Sequence, residues 1–554
     1  MRIRNALMLA SGVAMLAFFA MRADYFARTA SQTFDEGAHL VAGVSYWRTG
    51  DFRLNPEHPP LLKLYWTIPI AFRSDVEFKP NDDDWKRKDH WRIADEFLYG
   101  GANDHFARLL AARRMNIALG VLLVFLIGWW AYRMWGNGAG LLACALAAFD
   151  PNLAAFAAIV SMDLGLALFA LAAVYCLWEY TRNGSRYWFI AAGVAIGLAL
   201  AAKFSAVLMV AGLGIAAVAY VLAGNALRPA EISDPRGKRL SSMVTAFVRL
   251  GLIAAAVVVV AYFGIHALDW PRGLKQQLVR GDKGDPHFFL NGEISSTGWW
   301  HYFPFAMAIK SPPGTIVLAL ISVAAFRFGR RFESRDLAFI VVPAAIYFAA
   351  MMASKINIGW RVILPAYPAF TLIAARSATL VPTNRIGRLI GVGVIMAAVV
   401  PGVLDLRHLG KELSYCNGVI VGRSDLHEQL GDSNIDWGQG LKSLANELRQ
   451  RGDPVIYFSY AGTARPEAYG IRHDRLPSWG QFHPPPTDRV DLSGRVLVAV
   501  SVSNLQGTYL PDPTLYRWLL ERDPISRTDG SIWLFDITGD PDAIDRIRSL
   551  AGRR

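Results

Sequence analysis

Cysteine is nearly absent: the 554 residues hold three. Cys144 and Cys176 lie inside apolar runs, and Cys416 stands far from both. No disulfide framework is implied. Charge is also scarce, with 18% of residues charged against 53% hydrophobic and a mean hydropathy of +0.27. That balance excludes an ordinary soluble protein of this size. Acidic residues are outnumbered, 45 Asp and Glu against 57 Lys and Arg, for a net charge of +12. The basic excess falls largely in short connections between apolar runs, as membrane topology requires, and is not read as a nucleic-acid surface. There is no internal repeat and no low-complexity segment.

What is present is a set of long apolar runs in residues 1–22 and about 116–404, followed by a tail of soluble composition. The fold class expected is a polytopic α-helical membrane protein with a C-terminal soluble α/β domain. The division falls between 404 and 405. About eleven spans, each needing roughly 17–25 apolar residues, are expected near 5–22, 116–135, 138–158, 162–181, 187–202, 204–222, 248–266, 313–328, 336–353, 360–377 and 386–404. The third is interrupted by Asp150-Pro151. The basic start and apolar core of MRIRNALMLASGVAMLAFFAM resemble a signal peptide, but the many later spans make it a retained anchor.

Charge orients these spans. Arg133, Arg182, Arg186, Arg228, Arg236, Lys238, Arg239, Arg327, Arg330, Arg331, Arg335, Arg376, Arg385 and Arg388 fall in alternate short loops, which makes that side and the N-terminus cytoplasmic. The outer side then receives the 23–115 loop, the stretch from Asp150 to Asp163, the 267–312 loop and the tail. In the tail, 455–460, 495–503 and 531–537 read as strands. Residues 441–451 and about 514–521 read as helices. A helix over 35–49, ended by Gly50, is expected in the first outer loop, with Asp35 and Glu36 in its first turn.

The candidate chemistry collects at the outer rim. SQTFDEGAHLVAG (31–43) places Asp35, Glu36 and His39 near the membrane boundary. They read either as helix caps or as a general base or acceptor-binding carboxylate. NPEHPPLLK (55–63) is a rigid turn carrying Glu57 and His58, candidate ligands of a divalent metal. Asp150 and Asp163 bracket PNLAAFAAIVSM and read as turn or cap residues, or as walls of the same cavity as Asp35. Lys203 stands alone in an apolar stretch and either snorkels or meets a phosphate. WWHYFPFAMAIKSPPG places His301 and Lys310 beside an aromatic belt. Arg361, in SKINIGWRVILPAYP, is the best phosphate ligand, because a guanidinium binds phosphate bidentately. Asp436, in DWGQ, reads as the N-cap of the helix that follows.

The order FDEGAHLVAGVSYWRTGDFRLNPEHPPLLK, DPNLAAFAAIVSMD, GLALAAKFSA and GWRVILPAYP resembles GT-C glycosyltransferases of the protein O-mannosyltransferase and aminoarabinose transferase type, over roughly residues 1–404. The resemblance implies transfer of a sugar from a polyprenyl-phosphate carrier to a protein, lipid or glycan acceptor outside the bacterial cytoplasmic membrane. It implies that Asp35 is the base or acceptor-orienting group, with Glu36 its neighbour in the motif. Glu57 matches the acidic residue before the paired prolines. Arg361 matches a basic residue near the carrier phosphate, with Lys203, Lys310 and His58 as further donor-phosphate candidates. His58 stands where the aminoarabinose transferases carry a phosphate-contacting lysine. Asp163, Asp150, His39 and His301 are the remaining cavity candidates. The tail resembles those of some bacterial members. A transporter or lipid flippase, and a non-catalytic envelope assembly protein, are the alternatives. The first requires central ionisable groups or broken-helix repeats, which the sequence lacks. The second requires that Asp35 tolerate replacement by Asn. An oligosaccharide-transferring relative would carry a WWD-type motif, and DWGQ is not one.

Overall fold

The computed structural model describes residues 2–101, 103–283, 287–330, 332–382, 384–404, 408–419 and 426–552. Arg331 and residues 405–407, which border the expected domain division, lie outside the described residues.

Helical segments lie at each expected span, but at 360–377 the α-helix Tyr367–Ala375 is only nine residues long, between 3-10 turns. Among the described residues five helices, including His105–Trp135, Met162–Asn183 and Arg236–Ala261, are long and apolar enough to cross a membrane, and two bent pairs bring that to seven. Arg186–Ala202 and Ala206–Leu222 are apolar but shorter. The third expected span is one of the bent pairs. Asn137–Ala148 and Pro151–Ala158 meet at 60°. Pro151 opens the second helix, where its missing N–H costs nothing, and the Asp150 carboxylate accepts from the N–H groups of Asn152 and Leu153.

Between the first two long helices the chain folds back into the protein. The helix Glu36–Thr49 is buried from Glu36 through Tyr46. It stops at Gly50, whose φ of +69° is a left-handed conformation open to glycine without a Cβ penalty. Two prolines precede the helix Leu61–Ala71, which packs against it.

The tail carries a five-stranded mixed sheet in the order His473–Arg475, Ile456–Ser459, Leu497–Ser501, Ile532–Asp536, Ser526–Thr528. The first three are parallel and the last two join antiparallel. Alternation sorts the strand residues into two faces. Ile456, Phe458, Leu497, Ala499, Ile532 and Leu534 pack with Leu441, Leu444 and Leu448 of the helix Leu441–Arg449. Tyr457, Val498, Val500, Trp533 and Phe535 belong to the large core that continues into the membrane half. The expected strands are all present. The short edge strands and the last helix, Pro541–Ala551, were not legible in advance.

The tail is docked through buried polar groups. The Lys310 ammonium donates to the carbonyls of Leu413 and Asn434, each at 2.7 Å. Arg22 bonds Glu412 at 3.1 Å, and Arg465 bonds Asp95 at 2.5 Å. Lys310→Met leaves two buried carbonyls without that donor, at about 1–3 kcal/mol each. The expected result is faster release of a C-terminal fragment in limited proteolysis of the membrane-embedded protein, and an unchanged rate contradicts this docking role.

Candidate active site

Asp35 is the one residue between Ala30 and Tyr46 that is not buried. It stands at the N-terminus of the helix Glu36–Thr49, but its side chain does not cap that helix. It opens instead into a cavity of about 400 Å³, whose walls come from both halves of the chain. The segment between the first two long helices contributes Asp35, His39, Glu57, His58, His90 and Trp91. The membrane half contributes Arg361, and the tail contributes Asp432, Asp436, Trp437, Trp479 and Tyr509.

Glu36 departs from expectation. Its carboxylate is fully buried and meets Arg113 at 2.6 and 2.8 Å, while accepting from the N–H groups of Thr33 and Val160 at 2.8 and 3.0 Å. Burial raises its pKa, but the Arg113 guanidinium and these bonds outweigh that and hold it below the usual carboxylate value. Arg113 also donates to the carbonyls of Ala27, Ala30 and Ser31. Every lone pair is committed, so Glu36 is a structural anchor and not an open catalytic group. Its anchoring fixes the backbone that carries Asp35.

Three other candidates lie away from the cavity. Asp150 is buried as a helix cap, and the Tyr367 hydroxyl donates to it at 2.5 Å. Lys310 is committed to the tail's carbonyls. His301 is exposed beside Trp300. Asp436 departs in the opposite direction. Gly440, not Asp436, stands at the N-cap of Leu441–Arg449. The Asp436 carboxylate faces the cavity and accepts from the N–H groups of Ser503 and Gly438 at 3.0 and 3.2 Å.

The cations gather on the membrane side. Asp163 is buried and accepts from Lys203 at 2.6 Å, and Arg361 approaches its other oxygen at 3.5 Å. Asp35 and Asp432 act on the Arg361 guanidinium through space. His58 and His39 meet edge to face with ring centroids 5.8 Å apart. Burial, with the charges of Lys203 and other neighbours, holds His58 well below the usual imidazole value. His39 is pushed down to about 3 by burial, with Lys63 adding to it, and its Nδ1 lies 3.0 Å from the Val160 carbonyl. Both rings are therefore neutral hydrogen-bonding groups, so His58 offers a phosphate no positive charge. In the tail, burial raises Asp432 and pushes Asp436 up to about 7. Among the described residues no three His, Cys, Asp or Glu side chains group as a metal site. Glu57 accepts from Asn55 at 3.1 Å.

Aromatic rings close the other end. Trp479 stacks on Phe34 and on Tyr509, each at 4.3 Å, and Phe482 stacks on Trp91 at 5.4 Å. The Trp479–Phe34 and Phe482–Trp91 pairs join the tail to the segment between the first two long helices. Sequence reading missed His90, Trp91, Asp432, Trp479 and Tyr509 because they come from segments that meet only in the fold.

Residues 11–268 match the family model of the dolichyl-phosphate-mannose-protein mannosyltransferases. No curated protein matches the chain. Among solved structures the chain is similar to ArnT from Cupriavidus metallidurans in the apo state, at 15% identity over 98% of this chain and 99% of that one, with a TM-score of 0.48. Its form bound to undecaprenyl phosphate gives 14% identity over 97% and 98%, with a TM-score of 0.46. The oligosaccharyltransferase of Archaeoglobus fulgidus, tethered to an acceptor peptide, gives 11% identity over 87% of this chain and 61% of that one, with a TM-score of 0.42.

The two adjacent carboxylates separate experimentally. Glu36→Gln breaks a buried ion pair and lowers stability by about 3–5 kcal/mol. Asp35→Asn, at a half-buried position lining the cavity, costs less than that. Thermal unfolding of the reconstituted protein checks both, and equal losses contradict the assignment. His39 gives a pH signature. Its folded-state pKa lies below the unfolded value near 6.5, so its contribution is complete above that value and is lost as the pH falls toward 3. Between pH 8 and pH 5 the stability of wild type relative to His39→Gln falls by about 2 kcal/mol. A pH-independent difference contradicts a neutral His39.

Proposed function

We propose that this protein transfers a sugar from a polyprenyl-phosphate carrier to an extracytoplasmic acceptor, with Asp35 as the base. Residues 1–404 form the catalytic membrane unit in this reading, and 405–554 an extracytoplasmic unit that completes the cavity. The membrane is the bacterial cytoplasmic membrane, with the N-terminus inside. The observation that carries the reading is that Asp35, the half-buried residue of an otherwise buried stretch, and Arg361 line one cavity.

The chemistry follows from the charges. Asp35 accepts the proton of an acceptor hydroxyl as its oxygen attacks the anomeric carbon. The bond from that carbon to the carrier phosphate breaks, and its electron pair leaves with the phosphate. Arg361, with Lys203 behind it on Asp163, holds the charge that develops. The proton passes from Asp35 to water, and polyprenyl phosphate departs along the membrane. Neutral His58 and His39 donate or accept hydrogen bonds beside the sugar without competing for the phosphate.

Asp35→Asn keeps the shape and removes the base, so transfer falls by roughly 10²–10⁴-fold. The test is loss of sugar from a panel of polyprenyl-phosphate hexoses and pentoses, with purified protein in lipid and a heat-treated membrane extract as acceptor source. Turnover by wild type that collapses in Asp35→Asn supports the reading. Equal turnover in both removes Asp35 as base, and no turnover by a folded wild type rejects the reading.

A further inference from the structure

The stretch GDSNIDWGQ, residues 431–439, belongs to the tail yet braces both sides of the cavity. On one side it holds the approach to Asp35. The Trp437 carbonyl accepts from the Phe34 N–H at 2.9 Å, and the carbonyls of Gly438 and Gln439 take the Ser31 hydroxyl and N–H, each at 2.9 Å. On the other side it holds Arg361. The Ser433 hydroxyl accepts from Arg361 Nε at 3.0 Å and donates to the Ile358 carbonyl at 2.6 Å. Asn434 accepts from the Trp360 N–H at 2.9 Å. The guanidinium carbon lies 4.2 Å from the centre of the Trp437 ring.

An arginine carries about 2 kcal/mol of rotamer entropy, and a planar fork binds an anion well only when its plane is fixed beforehand. Ser433 fixes the end of the side chain at Nε, and the Trp437 face fixes the plane. Nη1 stands 3.5 Å from Asp163, and Nη2 makes no hydrogen bond with the described residues. The Nη edge of this cavity-lining residue is thus the part left for a ligand.

We propose that Ser433 and Trp437 are positioning residues for Arg361, setting its Nη edge to receive the phosphate of the lipid carrier. The inference deepens the glycosyltransferase reading and rests on it. It makes the tail a working part of the catalytic centre, since Ser433 bonds Arg361 at 3.0 Å from the tail while Asp163 approaches it at 3.5 Å from the membrane side.

The experiment measures binding of radiolabelled undecaprenyl phosphate, which carries no sugar, to the full-length protein in lipid nanodiscs. Trp437→Leu and Ser433→Ala are expected to weaken binding about tenfold. Trp437→Phe keeps an aromatic face and stays within threefold. In an Arg361→Ala background, Trp437→Leu has no further effect. In transfer assays, the same two variants raise the donor KM and leave the acceptor KM unchanged. Ser433→Ala, which removes one hydroxyl, carries the test where Trp437→Leu does not fold. Binding unchanged in both variants overturns the proposal, as does an equal effect of Trp437→Leu with and without Arg361. A wild type that fails to bind the carrier, with transfer also absent, rejects the glycosyltransferase reading itself and the positioning role with it.

Discussion

The buried pair of Glu36 and Arg113 is the constraint on which the cavity of this protein depends. Four hydrogen bonds converge on one carboxylate, and three carbonyls converge on the guanidinium besides. Two ions removed from water are tolerated only with partners this complete. The network ties the end of the first helix, the start of the first-loop helix, the second long helix and the turn at Val160 into one unit. Asp35 is the next residue in the chain. Its backbone is held because its neighbour is pinned, while its own side chain lines the cavity.

From that fixed point the cavity runs between two unlike ends. Toward the membrane lie Arg361, Lys203 and Asp163, where a cation pair shares one buried carboxylate. Toward the tail lie stacked rings, two pairs of which cross the boundary between loop and tail. Asp432 and Asp436 enter from the tail as carboxylates that burial makes reluctant to ionise. A membrane enzyme handling a lipid-borne anion needs its positive charge near the bilayer and its acceptor entrance away from it, and this division of charge and aromatic surface suits that need. Closing such a site with a separate unit excludes water, which strengthens every electrostatic interaction inside.

Much of the fold was legible in the sequence because apolar run length and strand alternation are local signals. Gly50, the paired prolines and Asp150-Pro151 each ended or bent an element where backbone chemistry requires it. Asp35 was legible as well, as a charge standing where charge is costly. The division of labour between Asp35 and Glu36 was not. Adjacent residues on a helix point in different directions, and which one meets Arg113 depends on a partner far along the chain. Lys310 failed for the same reason: a cation at an outer boundary looks like a phosphate ligand until the carbonyls of Leu413 and Asn434 are brought to it. Asp436 was read from its proximity to a helix, whereas Gly440 takes the cap and the carboxylate faces the cavity. Tail residues that line the site carry no local signal, since only the docking of tail on membrane half makes them neighbours.

The most direct measurement is an experimental structure of the full-length protein in a lipid nanodisc with undecaprenyl phosphate bound. The phosphate is expected in the cavity between Arg361 and Asp35, with its oxygens about 2.7–2.9 Å from the Arg361 Nη atoms. A phosphate bound outside the cavity, for instance at Arg133 and Arg182 beside Glu179, would contradict a site built on Asp35 and Arg361.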